Sequence, residues 1–476
     1  MPTTNVRNLA GIDITITQED LDGLTASVRG QVLLPGSTAY DTARTIWNAM
    51  IDRRPGLIVR AASAADVVKT VQFARRHQLL LAIKGAGHNI AGNAVCDGGL
   101  MLDLSLMKSV HIDQQRRVAT VEPGCTLADF DHDAQVFGLA TPLGINSTTG
   151  VAGLTLGGGF GWLTRKYGMS VDNLIAADVV LADGTLVRAS SSSNDDLFWA
   201  IRGGGGNFGV VTSFEFQLHP VGPEVLSGLI VHPFADAPKL LRQYRDFIEK
   251  APDEVVAWFV IRKAPPLPFL PESIHGKEML AFACFYAGDI TSGERALEGL
   301  RRFGQPIADV VQPHPYTGWQ KAFDPLLTPG ARNYWKSHNF TQLEDGYLDT
   351  LLDYSTRLPS PHCEIFVGAL GGAANRVPRD ATAYPQRDAK YVMNVHGRWE
   401  TAAEDETCIR WARELTAATA RYATGGVYIN FVTADETDRI QAAYGENYTR
   451  LVSLKQKYDP TNMFRMNHNI QPVAAV

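Results

Sequence analysis

The stretch AIKGAGHNIAGNAVCDGG, residues 82–99, sets one imidazole, His88, among glycines and small residues directly after an apolar run. Such residues let consecutive backbone N–H groups turn into a concavity that holds an anion such as a pyrophosphate, with no lysine required. An imidazole beside that cradle has four open roles: a hydrogen-bonded core histidine, a metal ligand, a general base or a covalent anchor. The metal role has the least support, because no companion ligands cluster nearby. Further along, Asn394 and His396 in KYVMNVHGRW, and Tyr428 and Asn430 in GGVYINFV, stand two residues apart, the spacing that puts two side chains on one face of a strand. In ARNYWKSHNF the same spacing groups Tyr334, Lys336 and His338. Histidine, tyrosine and lysine can each take a proton from a substrate, so these stretches hold the candidates for a base.

Another glycine cluster, GGGGNFG, places Gly204, Gly206 and Gly209 in GxGxxG spacing. A nicotinamide-binding fingerprint follows a strand and opens a helix, whereas these glycines follow the helical DLFWAIR and open the strand-like VVTSFEF, so that reading is rejected. P-loop, HExxH, GxSxG and EF-hand spacings are missing too, which removes the usual support for phosphoryl transfer, zinc proteolysis and serine hydrolysis.

The elements that position these residues must come from more than one core, because 476 residues exceed a single ordinary domain. Hydrophobic residues make up 45%, charged residues 20%, and the net charge of -6 is spread without blocks, which fits a soluble protein and argues against nucleic acid as a partner. The opening MPTTNVRNLAGIDITITQED carries no signal-peptide pattern, and no apolar run is long enough to span a membrane; a cytoplasmic protein is expected. Five scattered cysteines without a CxxC pair read as buried, reduced filler.

Along the chain, RRPGLIVRAASAADVVKTVQFARRHQLLLAIK reads as a βαβ unit with a helix capped near Ser63. LMLDLSLMKSVHID and RVATVEPG are strand-like, TLADFDHDAQVFGLA is helical, and AADVVLADGTLVRAS carries a hairpin signal at Asp183-Gly184. After Pro220, strands rich in β-branched and aromatic residues alternate with amphipathic helices up to about residue 425, the pattern of an antiparallel sheet covered by helices. KAPPLPFLPESIHG reads as a proline-rich loop, either a stiff connector or a lid over a site, with the connector favoured, and DRIQAAYGENYTRLVSLKQKYDP as a helical tail.

Taken together, KGAGHN, GVAGLTLGGGFGWLTRKYGMSVDNL, DLFWAIRGGGGNFGVVTSFEF, VYIN and YDPTNMFRMNHNIQP resemble, in order, the motifs of FAD-linked oxidases with the vanillyl-alcohol oxidase type of FAD domain, in the berberine-bridge-enzyme-like branch. The resemblance spans about residues 35 to 472. It implies an α+β protein in which residues 1–220 and 426–476 form a split FAD-binding domain, and residues 221–425 form a substrate domain with an antiparallel sheet covered by helices. It also implies a covalent bond from His88 to the flavin. The second link of many relatives uses a cysteine where this chain has Asn146, in GINSTTG, so a single link is expected. Lys84 and Ala86 depart from the family's arginine and glycine. The resemblance further assigns Gly85, Gly87, Asn89, Gly150, Gly153, Asn173, Gly209, Val210, Val211, Asn430, Asn467 and Asn469 to cofactor binding. Thr149 stands where a valine-sized side chain accompanies reoxidation by oxygen. Tyr428 matches the tyrosine base of sugar- and polyketide-oxidising relatives, whose pKa the flavin and cationic neighbours lower; His396 is the second candidate, with Asn394 and Lys336 lining the substrate. The implied reaction is hydride abstraction from a CH–OH group of a sugar-like or secondary-metabolite substrate, with dioxygen reduced to hydrogen peroxide by a monomer or homodimer. Amine oxidation, or a dehydrogenase using another electron acceptor, is the alternative.

Overall fold

The computed structural model describes residues 4–473. The Ser63 hydroxyl accepts the Asp66 N–H at 3.4 Å and starts a helix, α1 (Ala64–Arg76), whose Val67, Val71 and Ala74 are fully buried at helical spacing. It belongs to a four-stranded sheet of β1 (Gln31–Leu33), β2 (Leu57–Arg60), β3 (Leu81–Lys84) and β4 (Leu100–Asp103), in the order β1-β2-β4-β3. The βαβ unit is therefore present with β4 inserted between its two strands, both parallel to β4. His88 follows the C-terminal end of β3, the end of a parallel sheet where ligands collect.

LMLDLSLMKSVHID, strand-like throughout in sequence, divides between two sheets. The Met107 N–H donates to the Leu104 carbonyl in a turn, after which β5 (Val110–Asp113) enters a second sheet. This sheet adds β6 (Val118–Val121), β7 (Leu174–Val180), β8 (Leu186–Ser190) and β9 (Val210–Gln217), all antiparallel, in the order β8-β7-β9-β6-β5. The β7–β8 hairpin turns at Gly184, whose φ of 85° suits glycine. The helix Leu127–Gln135 is opened by a capping box between Thr126 and Asp129. The helix Asp195–Ile201 precedes the cluster GGGGNFG and β9 follows it, an order opposite to a nicotinamide fingerprint.

The third sheet is eight-stranded and antiparallel. Its path runs β13 (Ala308–Asp309), β10 (Glu224–Pro233), β12 (Glu278–Tyr286), β11 (Val255–Lys263), β15 (Glu364–Ala369), β16 (Tyr391–Trp399), β14 (Arg332–Phe340), and a short strand, Gln312–Pro315, joins β10. Helices Ala237–Ile248, Ile290–Arg301, Asp345–Ser355 and Asp405–Thr419 share its core. The proline-rich loop joins β11 to β12, seating Leu270 against Val231 and Met279 and lining no part of the cavity described below, as befits a connector. All five cysteines are buried and free. Among the described residues, no helix is long and apolar enough to cross a membrane.

Two readings of the tail are corrected. GGVYINFV is not a strand: Ile429–Phe431 is a single 3-10 turn, because the Asn430 amide donates to the Leu154 carbonyl at 3.1 Å, in the space that glycine leaves at position 157. The helical tail is broken at Gly445 (φ 48°) into Ile440–Tyr444 and α2 (Tyr448–Tyr458). In α2 the Lys455 ammonium, sealed from solvent, donates to Asp459 at 2.7 Å and to the carbonyls of Asn207 and Phe464, while Asp459 accepts the N–H groups of Met463 and Phe464. Removing one member leaves the other charge buried and unpaired. Lys455→Met is expected to cost about 3–5 kcal/mol and to lower the thermal unfolding midpoint by several degrees; an unchanged midpoint would contradict this.

Candidate active site

Between the first two sheets and the third lies a cavity of about 350 Å³, walled by His88, Thr149, Gly206, His396, Tyr428 and Asn467 among others. Its glycine-rich side is shaped to receive backbone-bound anions. Among the described residues, none of the N–H groups from Gly85 to Asn89 donates to a protein acceptor, and Gly87 adopts φ 76°. A Cβ at Gly153 or Gly206 would meet nothing within 4 Å, so these glycines border open space. Asn467 Oδ1, His468 Nε2 and Asn394 Oδ1 are buried on the cavity wall without hydrogen-bond partners. Buried polar atoms are almost always satisfied, so a cradle of free N–H groups facing such orphans fits a large, polar, anionic cofactor of the FAD type.

His88 stacks on Trp47, with ring centroids 5.1 Å apart. Its Nε2 lies 3.0 Å from Thr148 Oγ1. Burial pulls the imidazole down to about 4, with a hydrogen bond to the Thr148 backbone opposing, so it is neutral at pH 7.

Tyr428, 2% exposed, accepts the Gly159 N–H at 3.1 Å and the Asn430 amide N–H at 2.9 Å on its phenol oxygen. Both bonds favour the phenolate, yet burial outweighs them and pushes the phenol up to about 12. The expected cationic neighbour is not among the groups that act on it.

The wall opposite comes from one face of β14, β15 and β16. Register places Trp335 across from His396, His396 across from Glu364, and Asn394 across from Phe366, and all five line the cavity. The Glu364 carboxylate meets His396 Nδ1 at 3.1 Å and accepts from Arg262 Nη1 at 2.7 Å. Burial raises this carboxyl and Arg262 and His396 outweigh it, holding it at about 2. Burial lowers the His396 pKa, and Glu364 only partly restores it. With Nδ1 facing a carboxylate, His396 Nε2 is left with one long contact, 3.4 Å to Asn333 Oδ1.

Of the residues singled out in the sequence, Gly85, Ala86, Gly87, His88, Asn89, Asn146, Thr149, Gly150, Gly153, Gly209, Val210, Val211, Asn394, His396, Tyr428, Asn430 and Asn467 line the cavity. Four do not. Lys336 sits on the other face of β14, paired with Asp435 at 3.1 Å and Glu436 at 3.2 Å, because parity turns Trp335 to the cavity. Lys84 turns away to donate to the carbonyls of Ala43 and Thr45, anchoring the segment that carries Trp47. Asn173 ties the carbonyls of Tyr167 and Met169 to His219, and Asn469 lies beyond the wall with its Oδ1 unpartnered. Glu364, Trp47, Trp335, Phe366 and His468 were missed. Parity counted from His396 across the β14–β16 register finds Trp335; Glu364 needs the β15 register as well, and no local pattern marks Trp47.

A family model described as FAD binding domain matches residues 55–190, and one described as berberine and berberine like matches residues 427–471. A FAD-linked oxidoreductase of Dictyostelium discoideum is 32% identical, over 94% of this chain and 96% of its own. The (R)-6-hydroxynicotine oxidase of Paenarthrobacter nicotinovorans is 32% identical, over 94% and 97% respectively. The crystal structure of 6-hydroxy-D-nicotine oxidase from Arthrobacter nicotinovorans superposes with a TM-score of 0.84 at 30% identity, covering 94% of this chain and 98% of that one.

Glu364 generates a pH prediction. Its folded pKa lies below the ordinary value of 4.5, so its stabilisation is present above 4.5 and lost as pH falls toward 2. Glu364→Gln should therefore melt below the wild type at pH 7, and the gap should narrow in acid; a gap that stays constant in thermal melts at neutral and acidic pH would refute it.

Proposed function

Because this chain belongs to the berberine-like family of FAD-linked oxidoreductases, we propose that it removes a hydride from the CH–OH carbon of a small-molecule substrate, using an FAD tethered once, through His88, and passes the electrons to dioxygen as hydrogen peroxide. In this reading residues 1–220 and 426–476 hold the cofactor and residues 221–425 supply the substrate wall. FAD, when bound, supplies the hydride acceptor. The cradle of N–H groups from Gly85 to Asn89 would take its pyrophosphate, and Asn467 and His468 its remaining polar groups.

The observation that carries the alcohol reading is the Glu364–His396 pair. A neutral imidazole whose Nδ1 proton is held by a carboxylate takes a hydroxyl proton at Nε2, and the carboxylate stabilises the cation that results. Asn394 Oδ1, unpartnered on the same wall, accepts a second polar hydrogen and orients the substrate. Trp335, Phe366 and Phe431 line the space around them and exclude water. Tyr428, with its phenol raised to about 12, serves as a neutral hydrogen-bonding group; the role of base moves from it to His396. Thr149 on the cavity wall is valine-sized, in keeping with oxygen as the acceptor. The likeness to (R)-6-hydroxynicotine oxidase favours a second reading, oxidation of an amine at the same site.

A screen of alcohols, sugars and amines for anaerobic flavin bleaching tests the substrate class; bleaching by amines alone selects the second reading. Rapid reoxidation by air supports the oxidase, and sluggish reoxidation makes it a dehydrogenase. The wild type should keep its yellow colour through acid precipitation, and His88→Ala should release it.

With a bleaching donor in hand, kcat/KM should stay level from about pH 7 to about pH 10 and fall in acid, and His396→Ala should slow flavin reduction by roughly a hundredfold. A rate that instead climbs through pH 10 and collapses in Tyr428→Phe returns the base to Tyr428.

A further inference from the structure

Three side chains beside the cavity form a chain whose proton positions are determined. Asn146 Oδ1 accepts the Thr148 backbone N–H at 3.0 Å, which identifies that amide atom as the oxygen. The Thr148 hydroxyl lies 2.6 Å from the same oxygen, a distance at which the hydroxyl proton must lie between them. Its single proton spent, Thr148 Oγ1 can only accept from its other neighbour, His88 Nε2, at 3.0 Å. The neutral imidazole therefore carries its proton on Nε2 and its lone pair on Nδ1, which has no hydrogen-bond partner among the described residues, on a ring that lines the cavity.

We infer that Asn146 and Thr148 are positioning residues for cofactor attachment: they hold His88 in the one neutral tautomer whose free nitrogen, Nδ1, can bond to the flavin. This rests on the proposal that the FAD is tethered through His88. In the step, the Nδ1 lone pair bonds to the methyl carbon on the benzenoid ring and one methyl C–H bond breaks. The two electrons released enter the flavin and pass to dioxygen. The methyl proton and the Nε2 proton leave with them, so that histidine, flavin and dioxygen give linked flavin and hydrogen peroxide. Asn146, where relatives carry the cysteine of a second link, would on this account serve the first.

The contrast between Thr148→Val and Thr148→Ser isolates the device, since valine keeps the bulk and loses the acceptor. Apo-protein is mixed with FAD in air. Total binding is read from quenching of free-FAD fluorescence, and covalent FAD from in-gel fluorescence and intact mass over time. Thr148→Val and Asn146→Ala should bind FAD yet attach it at least about tenfold more slowly, while Thr148→Ser and Asn146→Asp, which keep the oxygens, attach it at close to the wild-type rate. Thr148→Val attaching at the wild-type rate would overturn the inference while leaving the tether in place. A wild type that binds FAD and never attaches it would overturn the tether itself. If Thr148→Val fails to bind FAD, the Thr148→Ser and Asn146→Asp rates decide: slow attachment in both would refute the tautomer role.

Discussion

The Lys455–Asp459 pair is the contact on which the cavity's closure depends. Two opposite charges sealed from water are stable only while both are present and hydrogen-bonded, and here their remaining valences are filled by backbone: the carbonyls of Asn207 and Phe464 and the N–H groups of Met463 and Phe464. One clamp thus joins α2, the glycine-rich loop before β9 and the chain that leads to Asn467 and His468. That chain is the wall with the orphaned polar atoms. The tail is distant in sequence from the His88 cradle, yet Asn467 and His468 line the same cavity, in a segment that the ion pair ties down through the backbone of Met463 and Phe464.

On the opposite wall the constraint is strand parity. Lys336 and His396 lie on neighbouring strands, and nothing in either segment alone tells which face each shares with the other. Pairing Trp335 with His396 sends Lys336 to the helix side, where Asp435, Glu436 and Thr433 satisfy its ammonium. The same rule turns Glu364 into the cavity beside His396. Alternation within a strand was legible in sequence, and Asn394 and His396 do share the cavity face. Register between strands depends on contacts across tens of residues of chain, so the tryptophan and the glutamate it selects were not.

Much of the fold was legible for the converse reason. The capped helix at Ser63, the hairpin at Gly184 and the alternating strands after Pro220 are each specified by residues within a few positions of one another. The stretch around Tyr428 misled because its spacing satisfies a strand while its hydrogen bonds satisfy something else. Asn430 spends its amide on Leu154 and on Tyr428 itself, so the two side chains meet through a turn and not across a pleat. The proton affinity of Tyr428 was equally out of reach of sequence, since it depends on how completely water is excluded and on the lack of a cation.

Two imidazoles, His88 and His396, show how one side chain acquires opposite duties. Burial depresses both pKa values, so each is neutral at pH 7 and has one free lone pair. The partner decides what that lone pair can do. Beside Glu364 a developing imidazolium is stabilised by a full negative charge, which suits a nitrogen that must take a proton and give it back. Beside Thr148 the partner is an uncharged oxygen with its own proton already committed to Asn146, so a cation on the ring gains little and protonation is disfavoured. An imidazole that stays neutral and keeps Nδ1 unencumbered is a poor general base, yet its lone pair remains available to carbon provided the Nε2 proton is given up as the bond forms. Carboxylate against hydroxyl, one atom of contact at each ring, is enough to separate the candidate base from the candidate tether.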